Sequence, residues 1–383
     1  MRKPNGLSSA EAGLSLSKPT AGAPLLFVVG QLSLGGLERQ LCYLVEHLLQ
    51  LQHPVVVVVW NYRDSDTYVP RLKSLGAKIV GFDPTLSNAR KLSRLRALTL
   101  SLSPAVVHSY SFFTNFAVWF ACLQTRALPI GSLRSDFFGE RKLAGPVVGR
   151  LSGRFPRTMI ANNEAAAKAA RRGGYFRPKA TYVVRNGVDL KRFQPRDSWP
   201  SLPTAVGIGS LMRYKRWDRV LSVARNLVGQ SRPFKVVIVG DGPERTGLQQ
   251  LAQDSTLLTT VSLMQPQADV PALLNNSSFL IHASELEGCP NVVMEAMACG
   301  RPVLSTDVGD VSHLVEDGNS GFVVSQNDDD SLLNRMRTLI DDPDLCRRFG
   351  AAARRKAIKE FSVQRMAEET LAVYQNLRCK APP

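Results

Sequence analysis

Glu287 and Glu295 stand with seven residues between them in the stretch Glu287-Gly-Cys-Pro-Asn291-Val-Val-Met-Glu295-Ala-Met-Ala-Cys-Gly-Arg-Pro-Val. Gly288, Pro290 and Asn291 make a turn that opens a helix, and Cys299-Gly300-Arg301-Pro302 closes it before a strand. Loop amides and the free N–H groups of a helix N-terminus form a seat for a diphosphate. A carboxylate on the loop and a second one two turns into the helix can accept hydrogen bonds from sugar hydroxyls on either side of that seat. An ordinary capped helix with surface glutamates fits the same pattern, so the neighbouring segments must decide.

The elements that would carry these residues alternate regularly. Apolar runs of strand length (Leu25–Val29, Val55–Trp60, Ala77–Phe82, Val106–Ser109) alternate with helical patterns over 37–51 and 85–103, and alternation continues to the turn Asn186-Gly187. The pattern resumes with strands at Ala205–Gly209, Lys235–Gly240, Val261–Met264, Phe279–His282, Pro302–Ser305 and Gly321–Val324. Strands alternating with helices predict parallel sheets built from βαβ units. The fold class is therefore α/β, with two Rossmann-like doubly wound domains facing each other across a ligand cleft. The expected division is a disordered leader over 1–23, a first domain over 24–195, a linker over 196–203, a second domain over 204–361, and a helix and tail over 362–383.

From about Leu25 to Leu377 the order of motifs resembles that of retaining glycosyltransferases of family 4, whose two-domain architecture is called GT-B. The Glu287–Glu295 segment is similar to that family's donor-site signature. Leu34-Gly35-Gly36-Leu37 looks like its first strand-to-helix loop, where two glycines let backbone approach the donor phosphate. Gly209-Ser210-Leu-Met-Arg213-Tyr-Lys215 resembles the loop whose arginine and lysine neutralise the diphosphate. Lys215 matches the lysine, Ser210 stands where the arginine is usual, and Arg213 is the candidate substitute. The resemblance implies that Glu287, Lys215 and Arg213 serve catalysis, with Gly35, Gly36, Gly288, Asn291, Val292 and Glu295 binding the donor and Glu295 on its ribose. It places His108 and Arg134 at the cleft or acceptor side, and Met264-Gln265 at a loop that reads the base. Asn186-Gly187 is taken as a tight turn, and Asp328 as a helix cap. The implied C-terminal helix packs back on the first domain.

The implied reaction moves a hexose-type unit from a nucleoside diphosphate sugar to an acceptor hydroxyl on a lipid-linked or polysaccharide precursor, retaining anomeric configuration. No cofactor or metal is expected. An epimerase of the same fold, or a non-catalytic sugar-nucleotide or polyanion-binding protein, remains open at this point.

Charge adds a partner. Residues 1–200 hold 28 Lys/Arg against 11 Asp/Glu, and residues 201–383 hold 20 against 21, so the whole net charge of +16 lies in the first half. Such asymmetry suggests an anionic acceptor or an anionic membrane surface beside the first domain. No aromatic-interleaved basic strip points to nucleic acid. The six cysteines form no CxxC pair, which fits a reduced, cytoplasmic protein, peripheral on the inner membrane face if it meets lipid.

Overall fold

The computed structural model describes residues 22–267 and 269–379, so all but the last two residues of the expected leader lie outside it. The first domain is a seven-stranded sheet of β1 (Leu25–Val29), β2 (Val55–Val59), β3 (Lys78–Gly81), β4 (Val106–Ser109), β5 (Leu128–Leu133), β6 (Thr158–Ala161) and β7 (Ala180–Val183). Its order is β3-β2-β1-β4-β5-β6-β7, every pair parallel. The second is a six-stranded sheet of β8 (Thr204–Ile208), β9 (Lys235–Val239), β10 (Val261–Met264), β11 (Phe279–His282), β12 (Val303–Thr306) and β13 (Gly321–Val324). It runs β10-β9-β8-β11-β12-β13, again parallel throughout.

Burial of both faces explains why these strands are continuous apolar runs. In β1, Leu25, Phe27 and Val29 enter one core layer, while Leu26 and Val28 enter the layer on the other side of the sheet. In β11, Phe279 and Ile281 face one layer and Leu280 the other. Each sheet reverses its winding beside its first strand, between β1 and β4 and between β8 and β11. Such switch points open crevices at the carboxyl ends of the strands. The loops leaving β1, β8 and β11 carry Gly35-Gly36, Ser210–Lys215 and Glu287.

The passage between domains departs from the expectation. Val184 is buried in the first core, whereas Val188 and Phe193 are already buried in the second, so the chain crosses at Asn186-Gly187. Residues 196–203 are not a free linker but lie on the second domain. Arg196 N donates to Asn275 Oδ1 (2.9 Å), and Trp199 carries the Arg301 guanidinium 3.9 Å above its ring. Arg196, Asp197, Ser198 and Ser201 of this segment are exposed, while Trp199, Pro200 and Pro203 rest against the second domain.

The chain returns to the first domain at its end. The Val363–Cys379 helix sinks Met366, Ala367, Leu371 and Tyr374 into the core that also holds Phe27 and Leu41. His108, expected at the cleft, is fully buried beneath this helix, with Nδ1 2.6 Å from Tyr374 Oη and Nε2 3.2 Å from Ser132 Oγ. Burial, helped by the nearby Arg134 charge, holds its pKa well below the ordinary histidine value, so it is a neutral core residue. An imidazole at the end of a buried strand finds partners in whatever covers that strand, and here a helix from 266 residues along the chain covers it. Removing that partner leaves a buried polar atom unmatched. Tyr374→Phe should therefore lower unfolding free energy by roughly 1–3 kcal/mol in urea titrations while leaving ligand binding in the cleft intact.

Candidate active site

The cleft between the domains encloses about 420 Å³. Its first-domain wall comes from Gly36, Arg39, Gln40, Arg134 and Asn186, and its second-domain wall from Gly209, Lys215, Glu287, Asn291 and Glu295. Two helices point their N-termini into it, Gly36–Gln50 from the first domain and Asn291–Ala298 from the second. Each brings unpaired N–H groups and a positive dipole end, which together suit an anion.

Glu287 is the centre of the second-domain wall. Lys215 Nζ donates to its Oε1, and His282 Nε2 lies 3.1 Å from the same oxygen. His282 ends β11 and is held in turn by Ser305 Oγ at 2.9 Å and Ser284 Oγ at 3.2 Å. Burial works to raise the Glu287 carboxyl, but the His282 hydrogen bond and the Lys215 ammonium outweigh it and bring it down to about 2. The carboxylate is thus ionised at all ordinary pH and is a hydrogen-bond acceptor, not a proton carrier.

Glu295 is buried on the same wall, in the Asn291–Ala298 helix, and faces the first domain. Arg39, one turn into the Gly36–Gln50 helix, forms an ion pair with it across the domain boundary. Burial raises its pKa above the usual carboxylate value, against the pull of the Arg39 guanidinium. Asn291 closes the contact. Its Oδ1 accepts from Gln40 Nε2 (3.1 Å) and Asn186 Nδ2 (2.9 Å), and its Nδ2 donates to the Gly36 carbonyl (3.3 Å). A Cβ on Gly36 would stand 2.8 Å from Asn291 Nδ2, so glycine is what allows the two helix ends to meet. Opposite Lys215, Arg134 lies with its guanidinium carbon 3.9 Å over the Tyr110 ring. Three atoms of cleft residues, Arg134 Nε, Arg39 Nε and Asn186 Oδ1, are buried without a hydrogen-bond partner among the described residues.

Comparison with known proteins places this geometry. The family model described as Glycosyltransferase Family 4 matches residues 34–192, and that described as Glycosyl transferases group 1 matches residues 196–356. The chain belongs to the family 4 type of GT-B glycosyltransferases. It is 26% identical over 344 residues to α-maltose-1-phosphate synthase of Mycolicibacterium smegmatis, covering 79% of this chain and 88% of that protein. It is 27% identical over 172 residues to N-acetyl-α-D-glucosaminyl L-malate synthase of Bacillus anthracis, 45% of each chain. Its fold is similar to that of HepE from Anabaena, solved with UDP, at a TM-score of 0.78 and 20% identity, over 92% of this chain and all of that one.

In this glycosyltransferase the cleft gathers Lys215, Glu287, Gly288, Asn291, Val292, Glu295, Gly36 and Arg134, which the sequence reading singled out, but not the rest of its candidates. Gly35 caps the first helix just outside the lining. Arg213 is exposed and lines a separate depression with Arg216, Asp218 and Glu244, because side chains three apart share a side of the tight 3₁₀ turn, so Arg213 goes with Arg216 while Tyr214 and Lys215 face the cleft. Ser210 is exposed as well, and its carbonyl takes the Trp217 indole N–H at 3.0 Å. The cleft's cations besides Lys215 consequently come from the other domain, Arg134 and the Glu295-paired Arg39. Met264 is packed at the edge of the second core, and Gln265 is exposed; neither lines the cleft. The sequence reading missed His282, Arg39 and Gln40 and took Asn186 for a turn residue. A histidine closing an apolar strand five residues before Glu287 was a usable signal, whereas the partners of Arg39 and Gln40 lie 256 and 251 positions away.

The Glu287 pKa has a consequence for stability. A carboxyl held below its ordinary value of 4.5 contributes stability that is complete above 4.5 and is lost as pH falls towards about 2. Glu287→Gln should be less stable than the parent at neutral pH. The gap between their urea midpoints should narrow across that acid window.

Proposed function

We propose that this glycosyltransferase moves a hexose-type unit from a nucleoside diphosphate sugar to an acceptor hydroxyl, with retention of anomeric configuration and without a metal. The observation that carries the reading is the pairing of every cleft carboxylate with a cation. Glu287 is held by Lys215 and His282, and Glu295 by Arg39. An inverting displacement needs a carboxylate free to take the acceptor proton, and a group titrating at about 2 is too weak a base for that. Nor do these two glutamates form an acid and nucleophile pair of the kind a retaining glycosidase uses. The departing diphosphate itself then takes the acceptor proton on the same face of the sugar.

Charge in the cleft fits that route. As the glycosidic bond lengthens, negative charge grows on the diphosphate, and Lys215, Arg134 and the two helix N-termini stabilise it. Glu287 positions sugar hydroxyls and supports the positive charge developing on the ring. Glu295 accepts from the nucleotide ribose, which requires Arg39 to share or release its partner. The basic first domain faces the acceptor. In support of an anionic acceptor, the two relatives above are named for products bearing a phosphate and a malate.

Thermal stabilisation by UDP-, GDP- and ADP-sugars, measured in the presence of a chelator, tests the donor site. One nucleotide class should stabilise the protein by about 2.7 kcal/mol at a hundred times its dissociation constant. Lys215→Ala and Glu295→Ala should each weaken that effect. NMR of the product should find the donor's anomeric configuration. An inverted product would overturn the mechanism, and no stabilisation by any sugar nucleotide would overturn the donor assignment.

A further inference from the structure

The chain that leaves the cleft on the first-domain side builds a surface that joins exposed apolar side chains to a dense group of cations. After β5, Arg134 and Ser135 line the cleft, and Asp136 caps the Phe137–Leu143 helix by accepting from Gly139 N. Gly145, at φ 82°, turns the chain into the Pro146–Arg154 helix. On this short hairpin Phe138, Leu143 and Val147 are 51, 90 and 67% exposed. One exposed leucine needs no explanation, but here three large apolar side chains are exposed within ten residues, on two helices packed against each other.

These apolar side chains adjoin a cationic field. Val147, Arg150 and Arg154 recur at helical spacing and share one side of their helix. Arg150 sits 5.7 Å from the Phe176 ring centre and Arg154 4.2 Å from that of Tyr175. Beyond them opens a depression of about 920 Å³ lined by Arg154, Arg157, Arg171, Arg177 and Lys179, with Tyr175 at its rim. Among the described residues no acidic side chain lines it. Residues 137–183 hold ten Lys/Arg against two Asp/Glu. Of those two, Glu140 has its Oε2 buried, and Glu164 reaches only Arg171, at 3.4 Å.

The geometry points to this hairpin and the basic depression beside it as the surface on which the enzyme docks to a bilayer containing anionic lipids. Leu143, Val147 and Phe138 enter the boundary between headgroups and acyl chains, and the cations meet lipid phosphates. A nucleic acid would engage the same cations yet leave the apolar tip in water. Arg134 in the cleft is nine residues from Leu143 at that tip, so docking brings the cleft beside the bilayer and within reach of a lipid-linked acceptor. That last step rests on the acceptor-side reading above; the docking itself does not.

The test is sedimentation of the full chain with vesicles of phosphatidylcholine alone or mixed with phosphatidylglycerol. Binding should require phosphatidylglycerol and fall as salt rises. Leu143→Ser/Val147→Ser and Arg157→Ala/Lys179→Ala, all at exposed positions, should each weaken partitioning roughly tenfold or more. Both should keep the parent's stabilisation by the sugar nucleotide, which reports an intact fold and donor site. Absence of binding to anionic vesicles, or binding that neither double variant weakens, would overturn the assignment. So would weakening by the charge variant alone together with equal capture of a duplex oligonucleotide. Vesicle binding without any response to sugar nucleotides would sink the donor reading and leave the docking surface standing.

Discussion

The side chain of Asn291 holds together three pieces of backbone that are distant in sequence. It accepts from Gln40 and Asn186 and donates to the Gly36 carbonyl, joining the start of one helix in each domain and the turn where the chain crosses between them. The cleft exists in its present width because of this meeting. Gln40 reinforces it by donating to the Gly187 carbonyl at 2.8 Å and accepting from Gly187 N at 2.9 Å. Removing any member leaves polar groups without partners in a place that water enters poorly, so the contacts act as a set.

Around that junction the charges are arranged by domain. Arg39 with Glu295 and Arg185 with Asp310 are ion pairs that span the two halves, while Lys215 with Glu287 lies within the second. Asp310 also accepts from Glu164 N at 2.8 Å, and its own N–H meets the Gly288 carbonyl at 3.0 Å. Buried pairs of this kind add little net stability but are costly to break singly, so they determine relative position more than they determine folding. A ligand that offers a diphosphate to Lys215 and Arg134, and hydroxyls to the two glutamates, replaces partners already in place. That is a means of coupling binding to the spacing between the domains.

The return of the C-terminal helix to the first domain adds a second mechanical tie. Phe361 is buried in the second core and Met366 in the first, so the chain crosses back within a few residues, beside the outward crossing at Asn186-Gly187. Both crossings lie together, with Val188 bridged to Ser362. The two covalent connections between the domains therefore run side by side.

What the sequence by itself determined is local and periodic. Runs such as Val55–Val59 are strands because β-branched side chains fill both faces of a parallel sheet, and Asp328 caps its helix by accepting from Ser331 N at 2.9 Å. The spacing of Glu287 and Glu295 around a helix start is likewise a property of one segment, as is the identity of Lys215. Tertiary structure decided what those residues face. Whether a cation following a strand enters the cleft depends on the twist of a three-residue turn, which admitted Lys215 and turned Arg213 away. Whether a histidine is exposed depends on what lies over it, and His108 is sealed by Tyr374. Arg134 became a cleft cation, and Glu295 acquired Arg39, because the two domains meet at the carboxyl ends of their sheets. Contacts of that kind carry no periodic signature, since their partners are joined by space and not by chain.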